Sequence, residues 1–190
     1  MSFMYHIASN KELPLGSFGG KKSYKLENAK KETKAFKILS ADLPKSAVPL
    51  EQIIDLSHIK EDEIEVYDTF EDAAGIYVEN IHPSNENVRK HFKNKFIYQV
   101  SENIGKFFFD PELLKNDRET FLANRKCITT LFDCIRNNIS ENECIEIYTC
   151  WYGKEGEERN YNLDTVIKLN DFIIGDSFEL KEGQYILVEK

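Results

Sequence analysis

The chain has 190 residues, a formal net charge of −8 at pH 7 and 31% charged residues. It carries 13 Phe, 9 Tyr and 1 Trp, more aromatic residues than a disordered polymer holds, and its composition also excludes collagen-like and coiled-coil proteins. Because a chain of this length buries roughly 70% of its unfolded surface, we expect residues 1–190 to form one soluble domain without disulfide bonds.

The first third of the chain begins as a strand and continues as helices. Alternating side chains over residues 3–9 predict the strand, with His6 near its centre, and a loop rich in Gly and Pro follows over residues 10–20. Apolar residues recur at threes and fours over residues 23–39, which indicates a helix. A shorter helix is predicted over residues 50–56.

The middle of the chain mixes strands and short helices. Residues 63–68 alternate like a half-buried strand, and Thr69 then provides an N-cap for a helix that continues through Tyr77 and ends before His82. Ser84 is the predicted cap of another short helix. Residues 95–101 and 105–110 are predicted strands, joined as a hairpin.

The last third contains the longest helical pattern and then mostly strands. Residues 117–138 place apolar side chains along one stripe, and predicted strands follow over residues 143–152, 160–169, 172–174 and 184–188. Strands and helices do not alternate regularly. The order therefore predicts an α+β fold, a single domain with a mixed, mostly antiparallel sheet flanked by helices.

Charge is unevenly distributed along the chain. Residues 1–50 hold nine Lys and four acidic residues, whereas residues 51–72 hold one Lys and nine acidic residues. The Lys-rich segment 21–37 could contact a phosphate-bearing or acidic partner, or it could be a solvated helix face that attracts the acidic run 61–72. We do not expect duplex DNA binding, because the remaining acidic surface would repel it.

Several kinds of site are not indicated. Cys127, Cys134, Cys144 and Cys150 form no C-x-x-C pair, and the four histidines are scattered, so we expect no metal and a reducing cytoplasmic compartment. Cys127 and Cys134 share one helix face and are expected in the core, whereas His82 and His91 are expected at the surface. No stretch of 18 apolar residues and no secretory signal pattern is visible. Phosphate-loop, nucleophile-elbow and zinc-helix motifs are absent from the sequence.

Two segments resemble motifs of the ADP-ribosyltransferase-like superfamily, which includes bacterial toxins, RNA 2'-phosphotransferases and many uncharacterised bacterial domains. Tyr-His-Ile-Ala-Ser over residues 5–9 is similar to the family's first motif, a strand carrying a His that holds the ribose of NAD. Residues 66–77 resemble the second motif, a strand leading into a helix with an aromatic residue that packs on nicotinamide. Residues 143–148 could supply the third element, a Glu on a late strand.

The resemblance implies a site for NAD or a related nucleotide. His6 and Ser9 would hold the ribose, and Tyr77 would stack on the nicotinamide. Glu146 would stabilise the positive charge that develops on the ribose carbon when the nicotinamide bond breaks. His6 and Glu146 are thus the candidate catalytic residues. The alternative interpretation makes Glu146 an outward residue of an edge strand and Tyr77 a core residue.

Two functions remain open at this point. One is an uncharacterised bacterial ADP-ribosyltransferase-like domain that binds NAD or a related nucleotide. The other is a non-catalytic protein of the immunity or accessory type, whose acidic stretches 61–72 and 155–158 bind a basic protein partner. The first hypothesis requires His6, Tyr77 and Glu146 to converge on one cleft.

Overall fold

The computed structural model describes residues 2–22 and 67–190. The strands of these residues are β1 (Phe3–Ser9), β2 (Gly16–Phe18), β3 (Gly75–Asn80), β4 (Phe96–Asn103), β5 (Phe108–Phe109), β6 (Cys144–Trp151), β7 (Thr165–Lys168), β8 (Phe178–Glu179) and β9 (Tyr185–Glu189). The α-helices are α1 (Phe70–Ala73), α2 (Pro111–Asn116) and α3 (Arg118–Asn138). Two 3-10 helices, Pro83–His91 and Tyr161–Leu163, complete the regular structure of these residues.

Seven of the strands form one sheet in the order β2-β3-β4-β1-β6-β9-β7. Neighbouring strands are antiparallel except β7 and β9, which are parallel. Strands β5 and β8 form a separate antiparallel pair. The predicted α+β fold with a mixed, mostly antiparallel sheet is therefore confirmed, and β1 lies at the centre of that sheet.

The two faces of the sheet bury different residues. On the first face, Ile7 of β1 and Ile147 of β6 belong to a large apolar cluster with Phe132 of α3. On the second face, Met4 and Ala8 of β1 cluster with Val88 of the 3-10 helix Pro83–His91. Because successive side chains of a strand point to opposite faces, β1 buries both of its sides.

The sequence predicts the longest described helix correctly. Helix α3 spans Arg118–Asn138, and its N-cap Asp117 accepts a hydrogen bond from the backbone N–H of Thr120 at 3.0 Å. Cys127 and Cys134 are buried on this helix, as expected from their spacing. The strands predicted over residues 143–152 and 184–188 are likewise present as β6 and β9.

The helix predicted through Tyr77 is wrong. Thr69 caps a helix as expected, accepting from the Asp72 N–H at 3.0 Å, but α1 ends at Ala73 and the chain enters β3 at Gly75. A Cβ at Gly75 would lie 2.0 Å from the carbonyl oxygen of Phe18, so only glycine permits β2 to approach this closely. Pairing with β2 and β4 overrides the local helical pattern.

Three smaller predictions are also wrong. Strand β5 pairs with β8 rather than β4, because Ile104 and Gly105 adopt positive φ angles of 44° and 123° and turn the chain away from β4. Residues 172–174 form no strand; their side chains at 172 and 174 pack on the first-face cluster. The cap of the 3-10 helix is His82, whose ring accepts from the Ser84 N–H at 3.2 Å.

Other predictions fall outside the described residues. These are the helices over 23–39 and 50–56, most of the strand over 63–68, most of the Lys-rich segment 21–37 and the acidic run up to residue 66. No helix within residues 2–22 and 67–190 combines the length and apolar character needed to cross a bilayer.

Candidate functional site

His6 is completely buried at the centre of the sheet. Its side chain lies on the second face between Gln99 of β4 and Tyr148 of β6, which are its register partners. Neither ring nitrogen has a hydrogen-bond partner among the described residues. Burial lowers the pKa of His6 from 6.5 to about 4, against the opposing effect of the Glu155 carboxylate. The imidazole is therefore neutral at pH 7.

Glu146 lies on the same face as His6, and the residue is only 1% exposed. The backbone N–H of Lys93 donates to both carboxylate oxygens at 3.0 and 3.1 Å, and that of Asn94 donates to Oε2 at 2.7 Å. The Tyr185 hydroxyl donates to Oε1 at 2.5 Å. In this arrangement Glu146 fastens residues 93–94 to the sheet, and β6 is a central strand rather than an edge.

Tyr77 and Ser9 stand apart from that pair. Tyr77 shares the second face but lies on β3, two strands from β1, and is 39% exposed. Ser9 is buried on the opposite face from His6, and its hydroxyl accepts from the Lys11 N–H at 3.2 Å. The structure thus brings His6, Glu146 and Tyr77 to one face of the sheet, where His6 and Glu146 are buried and Tyr77 is exposed, and it places Ser9 on the other face.

His91, expected at the surface, is buried next to this region. Its ring stacks on Tyr148 with centroids 4.0 Å apart, and Nε2 donates to the carbonyl oxygen of Glu155 at 3.0 Å. The carboxylate of Glu155 is also buried and accepts from the Gly153 N–H at 3.1 Å. Only part of the stretch 155–158 is therefore available as acidic surface, namely its later residues.

A cavity of about 590 Å³ opens on the second face, and its lining includes neighbours of His6 but not His6 itself. Two residues of its floor are the immediate neighbours of His6: Met4, two positions earlier on β1, and Gln99, opposite on β4. We call it the polar cavity because most of the residues that line it have polar side chains. Its polar lining residues are Glu79, Asn80, His82, Ser84, Asn85 and Gln99.

Apolar groups complete the polar cavity, and its volume suits a small molecule. Ile81, Pro83 and the ring of Tyr152 contribute these surfaces, with Tyr152 56% exposed. Typical ligand sites have volumes of roughly 300–1,000 Å³ and combine apolar walls with a few polar groups. The volume of the cavity therefore falls within the range of small-molecule sites.

Hydrogen bonds hold the polar lining in place. Gln99 Nε2 donates to Glu79 Oε1 at 3.0 Å, which fixes two floor side chains from neighbouring strands. His82 Nδ1 and the Ser84 hydroxyl lie 2.7 Å apart, but this nitrogen also accepts from the Ser84 N–H. The His82–Ser84 pair is thus part of the helix cap, since a nucleophile requires a base that is not already used by the backbone.

A second, smaller cavity of about 250 Å³ adjoins the first. The two share the lining residues Asn80 and Ile81, where β3 ends. We call it the basic groove, because its described lining includes Arg89 and Lys95 together with a single acidic residue, Glu86. The polar cavity, in contrast, has Glu79 and no Arg or Lys among its described lining residues.

Sequence reasoning identified His6 but missed the residues that form the cavities. Gln99, Glu79 and Asn80 lie on two strands whose pairing no local pattern encodes, and no motif marks them. The one feature of the sequence that could have identified Gln99 is the alternation along β4, which places it on the face opposite Tyr98 and Val100. The mistaken helix through residue 77 conceals β3, and with it Glu79.

The described residues contain no group of three or more His, Cys, Asp or Glu side chains arranged to hold a metal ion. Comparisons with models of protein families, with curated proteins and with solved structures find no match to this chain.

Proposed function

We propose that this chain binds NAD or a related nucleotide in the polar cavity. The observation that supports this most directly is the position of His6. A fully buried imidazole without a hydrogen-bond partner in the described part of the chain is costly to a fold, and functional sites are where such costs are retained. His6 itself does not line the cavity, but two of its neighbours on the same face, Met4 and Gln99, do.

The lining of the polar cavity matches the chemistry of a nucleoside. Amide groups of Asn80, Asn85 and Gln99 can donate to and accept from hydroxyl and carboxamide groups. The Tyr152 ring supplies a surface for a flat base or a nicotinamide. His6 becomes reachable for a ribose hydroxyl when the side chains of Met4 and Gln99 move, and its neutral ring can then donate and accept.

The proposal concerns binding rather than ADP-ribosyl transfer. A catalytic role for Glu146 stays a prediction. In the structure, Lys93, Asn94 and Tyr185 donate hydrogen bonds to its carboxylate and cover it. To face a ribose carbon, Glu146 would first have to release all three groups.

Four free cysteines support a cytoplasmic setting for the protein, since thiols persist in reducing compartments.

The test is a titration of the purified chain with NAD, followed by thermal unfolding. A ligand at 100 times its dissociation constant adds about 2.7 kcal/mol to stability, so a saturable rise in Tm is expected. Tyr152→Ala and His6→Leu should remove this rise while the proteins stay folded. Tyr161→Ala is the matched control, because Tyr161 is similarly exposed but lies in the 3-10 helix Tyr161–Leu163 and does not line the cavity. No rise with NAD in the wild type would refute the proposal.

A second candidate function is the acidic interaction protein. Strand β7 is the last strand of the sheet within the described chain, and Val166 on it is 58% exposed. Tyr161, exposed to 66%, precedes β7, and exposed carboxylates follow it at Asp171 and Asp176. Strand β7 itself carries one exposed cation, Lys168, so the negative charge comes from the segment that follows it. An edge strand with an exposed apolar side chain and carboxylates beyond its end suits pairing with an extended basic segment of another protein.

This candidate is tested with a Lys-rich, β-forming peptide and fluorescence anisotropy. Binding should weaken with salt and be lost in Val166→Lys, because a second lysine beside Lys168 replaces the exposed apolar contact and repels a basic strand. Leu114→Lys on α2 is the control, since Leu114 is exposed on another element. Equal binding by the wild type and Val166→Lys would rule out β7 as the docking strand.

A further inference from the structure

We propose that the basic groove is the phosphate subsite of the nucleotide site. The polar cavity would then hold the nucleoside part, and the ligand class is a nucleoside that carries a 5'-monophosphate or diphosphate. This inference rests on the proposed function, which it deepens by assigning different parts of the ligand to two adjoining cavities.

The first argument is continuity. Asn80 and Ile81 line both the polar cavity and the basic groove, so a ligand that extends past them contacts both. The polar cavity, at about 590 Å³, is larger than the basic groove, at about 250 Å³, just as a nucleoside is larger than a phosphate group. A phosphate attached to a ribose in the larger cavity needs only to pass the end of β3.

The second argument is charge. In the polar cavity the carboxylate of Glu79 would repel a phosphate, and no described lining residue there is a Lys or Arg. In the basic groove, Arg89 and Lys95 together exceed the negative charge of Glu86. Because like charges disfavour binding and opposite charges favour it, the phosphate belongs in the groove.

The third argument is the availability of donors. Arg89 Nε donates to Glu86 Oε2 at 3.2 Å and one Nη1 hydrogen goes to the Lys95 carbonyl oxygen at 3.1 Å. A guanidinium has five N–H donors, and these two contacts use two of them while they hold the group in position, so within the described part of the chain three stay available for a phosphate. The Arg89 side chain is 51% exposed, which leaves it accessible from the groove.

Lys95 provides the second cation. Its Nζ lies 4.7 Å from the centre of the Phe96 ring, a contact that keeps the ammonium at the groove without an acidic partner in that interaction. The neighbouring Lys90 is used differently, because its Nζ donates to the carbonyl oxygen of Gly156. The arrangement therefore presents one forked and one point-like cation to an anion.

The experiment compares three ligands and two double variants by titration calorimetry. The ligands are NAD, the unphosphorylated nicotinamide riboside, and inorganic pyrophosphate. Arg89→Gln/Lys95→Gln removes the groove cations. Arg136→Gln/Lys115→Gln is the matched control, because it removes the same charge and Arg136 pairs with Asp133 three residues away, as Arg89 does with Glu86.

We expect NAD to bind the groove variant at least about tenfold more weakly than the wild type, as for the loss of one charge-assisted hydrogen bond. The riboside should bind both proteins equally, and the control variant should behave as the wild type. If NAD binds the groove variant as tightly as the wild type, the phosphate subsite is refuted while the proposed function stands.

Pyrophosphate separates the remaining outcomes. If NAD does not bind but pyrophosphate binds the wild type and not the groove variant, the groove is an anion subsite and the proposed function fails. If the wild type binds neither compound, both proposals are overturned. Equal pyrophosphate binding by the groove variant and the wild type also overturns the subsite, because the anion then binds elsewhere.

Discussion

The Tyr185 hydroxyl donates a hydrogen bond to Glu146 Oε1 at 2.5 Å, and both side chains are buried on the second face of the sheet. Strands β6 and β9 are neighbours, so this contact joins their side chains as well as their backbones. With the N–H groups of Lys93 and Asn94, it surrounds the carboxylate with donors. Burial raises the pKa of Tyr185, and the hydrogen bond to the Glu146 carboxylate raises it further.

Glu146→Gln should destabilise the protein by about 1.5–3 kcal/mol, the range for hydrogen bonds to a charged group. A glutamine side chain has one acceptor oxygen, and its NH₂ would face a backbone N–H that also donates. Urea unfolding measures the change. Tyr185→Phe should cost less, because it removes one donor and leaves two backbone N–H groups on the carboxylate. A Glu146→Gln variant as stable as the wild type would contradict the structural role.

His6 should make stability depend on pH. Its pKa is about 4 when folded and 6.5 ordinarily, so between these values the unfolded chain binds a proton that the folded chain does not. Stability therefore falls as the pH falls from about 6.5 towards 4, by on the order of 3 kcal/mol at most. His91, whose pKa burial also lowers, acts in the same direction.

The comparison of wild type with His6→Leu isolates this contribution, since His91 and the carboxylates are common to both. Denaturant unfolding at several pH values should show the two stabilities diverging below pH 6.5, with the variant more stable in acid. At pH 7 the variant should be at least as stable as the wild type, because leucine leaves no unpaired ring nitrogen. Parallel curves would show that the imidazole is not held neutral by burial.

Gly75→Ala should lower stability by more than about 3 kcal/mol, as expected for a clash that no rotamer can relieve. The new Cβ would lie 2.0 Å from the Phe18 carbonyl oxygen, a backbone atom, so β2 or β3 must move. Gly175→Ala is the control and should stay within about 0.5 kcal/mol, because no described atom lies within 4 Å of the position that its methyl group would take. A small effect at Gly75 would argue against the β2–β3 pairing.

The cysteines should react slowly in the native protein. Burial raises the pKa of Cys127 to about 11 and that of Cys150 to about 12, and it also raises the pKa of Cys134. The thiolate is the reactive form, so these three should be protected from a thiol reagent at pH 7.5. Cys144, only partly buried, should react first. Denaturant should expose all four, and rapid native labelling of Cys127 would contradict its burial in α3.

Local patterns in the sequence determined much of the fold. Helix α3 follows from a 3.6-residue apolar period and the Asp117 cap, and β1 follows from alternation, because both signals are carried by the segment itself. The place of His6 near the middle of β1 and the α+β class also follow from such patterns. The end of α1 at Ala73 and the strand that carries Tyr77 do not, since Gly75 acquires its role only when β2 lies beside it.

The candidate site depended on tertiary structure. Glu79, Gln99 and Tyr152 meet at one cavity because β3, β4 and the end of β6 are brought together by the strand order, which no local period encodes. The same order buries Glu146 under residues 93–94, so a residue type that suits catalysis serves as a hydrogen-bond acceptor for the backbone. The sequence determines the chemistry of each side chain, whereas the exposure and the neighbours of that side chain depend on contacts between residues far apart along the chain.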